Sequence, residues 1–273
     1  MLSRVNSCRS AHAVRGQRGV LEKETSMATI RFIGSGDAFG SGGRLQACIL
    51  VEDGGWRCLL DCGASSLIGL KRAGIDPASI DAIVISHLHG DHFGGLPFFL
   101  LDAQFNSHRS APVMLAGHSD LGERLRSAMH VLFPGSEGAM DALASLVVLD
   151  PSTRSRLGPF DVEVFDVEHF CGSPPFAVRV TTSNGAIIGY TGDTAWTDSL
   201  YQVAEGVDLL IAESYFYDKK VPWHLDYATL AEAAPSLGAR RIVATHLSAD
   251  LLGHLDSLEL EVAHDGLMIE LTS

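Results

Sequence analysis

The chain has no apolar run approaching the roughly 20 residues that a membrane-spanning helix needs, so no membrane partner is expected. It has no Cys-x-x-Cys pair. Its five cysteines, Cys8, Cys48, Cys58, Cys62 and Cys171, are odd in number and mostly sit in apolar, strand-like contexts. Reduced, buried thiols in a cytoplasmic protein are the reading, not a disulfide framework. Cys171 stands apart because it follows His169 by two residues. Basic residues are few: Lys and Arg number 20 against 33 Asp and Glu, a formal net charge of −13, with no long Lys/Arg run past the N-terminus. Such a surface repels polyanions. The glycine-rich stretch Gly34-Ser35-Gly36-Asp37-Ala38-Phe39-Gly40-Ser41-Gly42-Gly43 has neither G-x-G-x-x-G nor Walker spacing, and no lysine follows it. Taken alone it is a flexible turn and not a phosphate cradle.

What is present suffices for one large α/β domain: 273 residues, 46% of them hydrophobic. Residues 1–26 carry Arg4, Arg9, Arg15 and Arg18 before any acid and show little periodicity. They are expected to be a disordered extension or the product of an upstream start ahead of Met27, since no apolar face accompanies the arginines. A single domain is expected over 27–273.

Apolar β-branched runs punctuated by Gly, Asn and Asp predict strands at Thr29–Ile33, Val113–Ala116, Phe160–Phe170, Val207–Ala212, Arg241–Thr245 and about Gly266–Leu271. Hairpins are predicted about Asp53-Gly54-Gly55 and Ser183-Asn184-Gly185. Helical periods run through Leu67–Leu70, Phe93–Phe105, Leu121–Phe133 and Tyr227–Leu237, while Asp141–Leu149 fits either helix or strand.

The chemistry concentrates in His87-Leu88-His89-Gly90-Asp91-His92, directly after the apolar run Ala82–Ile85. Packing has no use for three imidazoles and a carboxylate at a strand end. In extended chain His87 and His89 share a face, while Asp91 and His92 lie past the turn and can face a second point. Two three-ligand sites a few Å apart follow. Nitrogen and oxygen donors without thiolate suit Zn²⁺, with Mn or Fe as alternatives. A His-rich surface loop is the plainer alternative, but further strand ends carry matching groups: His169, Asp193 and His246. One echo stands out. Ile83-Val84-Ile85-Ser86-His87 and Ile242-Val243-Ala244-Thr245-His246 repeat the order apolar strand, hydroxyl, histidine. His108, His118, His130, His254 and His264 lack such a partner and are expected to be surface or satisfied residues, with His118 placed to edge a pocket. Arg44 and Arg109 are the first charges to consider for a substrate phosphate.

This set, in this order, resembles the metallo-β-lactamase superfamily over residues 28 to 273. The resemblance implies a four-layer αββα sandwich with two metals at one edge. His87, His89 and His169 would hold the first metal, Asp91, His92 and His246 the second, and Asp193 would bridge. The glycine loop with Arg44, the Asp61-Cys62-Gly63 turn and Thr191-Gly192-Asp193-Thr194 resemble the ribonuclease Z-like phosphodiesterase branch. By that analogy Glu213 and His224 fall where the branch carries a proton-relay pair. Only 24 residues separate His169 from Asp193, too few for the arm that grips transfer RNA. Structured RNA is therefore disfavoured and a small phosphodiester or cyclic phosphate favoured. The implied mechanism is hydrolysis by a metal-bridging hydroxide. Asp91 would orient the nucleophile, and His224, oriented by Glu213, would protonate the leaving group. Alternatives on the same metals are lactone, thioester or β-lactam hydrolysis. A transfer-RNA 3′-processing endonuclease or a mononuclear iron oxygenase is further off. A homodimer is expected by family habit.

Overall fold

Alternating burial along the strands decides the layers. The computed structural model describes residues 27–272; the extension expected over residues 1–26 lies outside them. The first half contributes β1 (Ala28–Gly34), β2 (Cys48–Asp53), β3 (Trp56–Leu60), β4 (Ala82–Val84), β5 (Val113–Gly117) and β6 (Ala144–Val148). Its helices are α1 (Ser66–Arg72), α2 (Gly90–Phe93), α3 (Leu96–Phe105), α4 (Leu121–Leu132) and α5 (Gly138–Leu143). The second half contributes β7 (Ser155–Leu157), β8 (Phe160–Asp166), β9 (Phe176–Thr181), β10 (Ile187–Tyr190), β11 (Leu209–Glu213), β12 (Ile242–Thr245), β13 (Glu261–Val262) and β14 (Met268–Leu271), with helices α6 (Ser199–Ala204), α7 (Tyr227–Ala233) and α8 (Ala249–Leu252).

These strands form two seven-stranded sheets, ordered β14-β1-β2-β3-β4-β5-β6 and β13-β12-β11-β10-β9-β8-β7. In each sheet one side is antiparallel and the other parallel. The β3–β4, β4–β5 and β5–β6 pairings are parallel, as are β10–β11, β11–β12 and β12–β13. Ile30, Phe32, Val51 and Leu60 of the first sheet meet Phe160, Val162, Val178 and Ile211 of the second in one dry core. On the first sheet's outer face Leu59, Ile83 and Leu115 pack with Leu70, Phe99 and Leu125 of the helices. Leu210 and Ala212 pack with Leu200 and Leu230 on the other side. The result is the four-layer αββα sandwich of the metallo-β-lactamase fold. Among the described residues no helix is long and apolar enough to cross a membrane.

Parallel strands joined by helices present their C-terminal ends along one edge, where loops converge. The segments after β4, β10, β11 and β12 open there. The interval between His169 and Asp193 is consumed by the β9–β10 hairpin, whose turn uses Gly185 at φ 91°.

Two expectations need correction. The strand expected to run to Phe170 stops at Asp166, so His169 sits in a loop. Asp141–Leu149 is both helix and strand, since α5 passes into β6 without a loop. The echo of His87 and His246 does end at one edge, where both rings approach Asp193, although the strand matching β4 in layout is β11, which ends in Glu213.

Candidate metal centre

His87, His89 and His169 converge at one point, and Asp91, His92, Asp193 and His246 at another; within each group the potential ligand atoms lie within 4.8 Å of one another. Asp193 faces both. Its Oδ2 lies 3.9 Å from His87 Nε2, 4.0 Å from His169 Nε2 and 3.4 Å from His246 Nε2, while its Oδ1 lies 3.2 Å from His92 Nε2. Asp91 Oδ2 is 3.3 Å from His92 Nε2 and 3.2 Å from His246 Nε2. The structure thus brings together all seven residues singled out as ligands.

Local chain geometry sets these positions. β4 delivers His87. His89, extended at φ −78°, ψ 151°, precedes the short α2, whose turn carries Asp91 and His92 back toward the same edge. Asp193 follows Gly192, which takes φ 57° with Ser86 packed against it. His246 itself is left-handed at φ 62°, as are Asp61 at 61° and Trp223 at 73°. Each such non-glycine residue costs about 1–3 kcal/mol and persists only where its surroundings hold it. Here the His246 amide donates to the Ser35 carbonyl at 3.1 Å.

Hydrogen bonds fix the imidazole tautomers. His169 Nδ1 donates to the Trp223 carbonyl at 2.8 Å. His92 Nδ1 donates to Asp61 Oδ2 at 2.7 Å. The Ser86 hydroxyl donates to Asp61 Oδ2 at 2.8 Å, which leaves its oxygen to accept from His87 Nδ1 at 3.1 Å. In all three rings the Nδ1 proton is committed, so the Nε2 lone pair points inward. His87 Nε2, His92 Nε2, Asp193 Oδ1 and His246 Nδ1 are buried without a hydrogen-bond partner. Orphaned atoms occur elsewhere too, but here four fall in one cluster.

The electrostatics ask for positive charge. Burial works against a charged His92, yet the Asp193, Asp91 and Asp61 carboxylates hold its pKa well above the ordinary range. Burial likewise opposes charge on His246, and Asp193 and Asp91 still push it up to about 9. For His87, burial together with the neighbouring His92 pulls the pKa well down. Burial also lowers His89 and His169. Burial would raise Asp193, but the His246 and His92 charges hold it well below the carboxylate range. No lysine or arginine takes part in these contacts. Imidazoles and carboxylates whose only balancing charge is the protons on His92 and His246 form a donor set that fits divalent cations, which would replace those protons.

Glu213 and His224 are brought together beside the second group. Glu213 is fully buried at the end of β11. Its Oε1 accepts from His224 Nδ1, and its Oε2 accepts from the Thr194 amide at 2.7 Å. Burial opposes charge on His224, but the hydrogen bond to Glu213 raises its pKa. Burial and the nearby Asp193 raise that of Glu213. The Tyr215 ring stacks on His224 with centroids 4.7 Å apart.

Other expected positions do not join the site. Arg44 donates to the Ala263 carbonyl, and the Asp265 carboxylate acts on its charge. Arg109 donates to the Ala111 and Ala78 carbonyls, at the N-terminal ends of β5 and β4. That is the opposite end of the sheet, so Arg109 cannot serve a phosphate at the metals. The glycine loop is not loose: Asp37 accepts from the Phe39 amide and from the Ser41 amide and hydroxyl. Cys171 donates to the Ser173 carbonyl. His118, at the end of β5, has its Nδ1 2.9 Å from Ser173 Oγ, whose proton goes to Asp120 Oδ2. His130 pairs with Glu137, and His254 stacks on Tyr217.

Asp61 is the residue that sequence reasoning undervalued. It accepts from the Ser86 amide (2.7 Å), the Ser86 hydroxyl, His92 Nδ1 and the Tyr190 hydroxyl (2.7 Å). The sequence offered only its place in the Asp61-Cys62-Gly63 turn.

Residues 28–261 match the family model described as Anti-Pycsar protein Apyc1. The ribonuclease Z of Pyrobaculum aerophilum is 29% identical over 265 residues, covering 80% of this chain and 85% of its own. Among solved structures, the metallo-β-lactamase fold protein YhfI of Bacillus subtilis superposes with a TM-score of 0.73 at 23% identity, covering 90% of this chain and 99% of that one. A diphosphatase from the PhnP family gives 0.72 at 22% identity, covering 89% and 98%. The last two likenesses speak to the fold alone. With its His/Asp metal site, the chain belongs to the Anti-Pycsar protein Apyc1 family of metallo-β-lactamase-fold hydrolases.

Proposed function

We propose that this protein is a dinuclear metal-dependent phosphodiesterase that opens a small cyclic phosphate, with cyclic nucleotides as the substrate class. The single observation that carries this reading is the pair of ligand groups meeting at Asp193, with inward Nε2 lone pairs and orphaned atoms around the meeting point. His87, His89 and His169 would hold one cation, Asp91, His92 and His246 the other, and Asp193 both. Zinc suits these donors, with manganese or iron as alternatives. When bound, the cations lower the pKa of water and neutralise charge on a phosphoryl group. Asp91 orients the attacking water through its carboxylate. His224, held by Glu213 and faced by Tyr215, gives a proton to the departing ribose oxygen. Because Arg44 and Arg109 are engaged elsewhere, phosphate recognition rests on the cations and His224. The family match supports a cyclic nucleotide, and the chain segment filled by the β9–β10 hairpin supports a small substrate over transfer RNA.

Chelator treatment is expected to abolish hydrolysis of a cyclic nucleotide, and added zinc or manganese to restore it. A panel that also contains lactones and thioesters separates the phosphodiester reading from acyl hydrolysis on the same site. Turnover of lactones alone overturns it.

A further inference from the structure

Two aromatic side chains stand exposed beside the metal centre, each one residue from a site histidine. Phe170 follows His169 and is 73% exposed; Trp223 precedes His224 and is 42% exposed. Their ring centroids lie 6.2 Å apart at 38°. Other apolar side chains are exposed too, Phe39 and Phe105 among them, but this pair is set apart by its place next to two histidines of the candidate metal centre.

Neither ring is exposed because its loop is loose. The segment carrying Phe170 is tied at four points. The Glu168 amide donates to Thr194 Oγ1, His169 Nδ1 to the Trp223 carbonyl, Cys171 Sγ to the Ser173 carbonyl, and Ser173 Oγ to Asp120 Oδ2 while it also meets His118. Trp223 is held in the left-handed region at φ 73° while its carbonyl orients His169. The same hydrogen bond therefore fixes the His169 tautomer and ties together the two backbone segments that carry the aromatic rings. A backbone set before a ligand arrives lowers the cost of ordering on binding. What fits the rings is a planar heteroaromatic group attached to a phosphate that reaches the cations.

We propose that Phe170 and Trp223 form the nucleobase subsite of this enzyme, stacking the base while the cyclic phosphate lies over the metal centre. This rests on the phosphodiesterase reading and adds the part of the substrate recognised outside the metals. Stacking reads a π-face, so the subsite favours any base over none and discriminates weakly among bases.

The first experiment compares kcat/KM of the zinc-loaded full chain for a 3′,5′-cyclic nucleotide and for the base-less ribose 3′,5′-cyclic phosphate. Phe170→Ala and Trp223→Ala are each expected to reduce the preference for the nucleotide roughly fivefold to a hundredfold, mainly through KM. Trp223→Phe is expected to retain most of it. An unchanged preference in both alanine variants overturns the proposal. The second experiment does not depend on turnover. Titration calorimetry should show a nucleoside 5′-monophosphate binding at least about tenfold tighter than ribose 5-phosphate, and Phe170→Ala should erase that difference. If no phosphodiester is turned over but the calorimetric difference holds, the reaction assignment fails and the subsite stands. If both sugars bind alike, or the variants change only self-association, the subsite fails.

Discussion

Asp61 and Asp193 occupy matching slots in the two sheets. Each lies just past the first strand of the parallel half, β3 in one sheet and β10 in the other, and each is fully or almost fully buried. Their surroundings differ. Asp61 accepts hydrogen bonds from Ser86, His92 and Tyr190. Asp193 has an oxygen with no hydrogen-bond partner, facing imidazole nitrogens. A saturated buried carboxylate organises its neighbours; one left with a free acceptor among lone pairs can bind a cation. The next slots repeat the contrast in other chemistry: β4 leads to His87, a candidate ligand, whereas β11 ends in Glu213, which holds His224. Two similar sheets have thus been given different tasks at the same edge.

Substitution separates the two aspartates. Asp193→Ala is expected to abolish turnover and lose bound metal, read by elemental analysis. If that variant kept full metal content and measurable activity, Asp193 would be no more than another Asp61. His224→Ala comes next: metal content should persist while kcat falls by roughly a hundredfold to ten-thousandfold. Metal loss in it would make His224 a ligand instead. Asp61→Asn is expected to cost less, about 10- to 100-fold in metal affinity or activity, because it disturbs tautomers without removing a ligand.

The smallest effect concerns pH. Glu213 raises the His224 pKa, so His224 keeps its proton to higher pH than a free imidazole would. A proton donor is lost as pH rises through its pKa. Glu213→Gln should therefore move the alkaline limb of kcat to lower pH, measured as a pH–rate profile. A limb that stays put, or moves to higher pH, would detach Glu213 from His224.

Much of the candidate site was legible because the residues it brings together are either contiguous, as in His87–His92, or sit after apolar strands of recognisable composition. The sandwich followed from the same strands. What escaped has physical reasons. The partners of Asp61 lie 25, 31 and 129 residues away, so its role exists only in the folded chain. β7 and β13 span three and two residues, too short for a period-2 pattern. The left-handed Trp223 carries no sequence signal, since tryptophan is not a residue type that favours that region. Arg44 and Arg109 are held by backbone carbonyls, a pairing that no sequence spacing announces.

The metal count of the purified protein tests the account at its root. Two divalent ions per chain are expected, lowered by Asp193→Ala and kept by His224→Ala. One ion per chain, unchanged by the loss of Asp193, would contradict a shared centre built from both sheets.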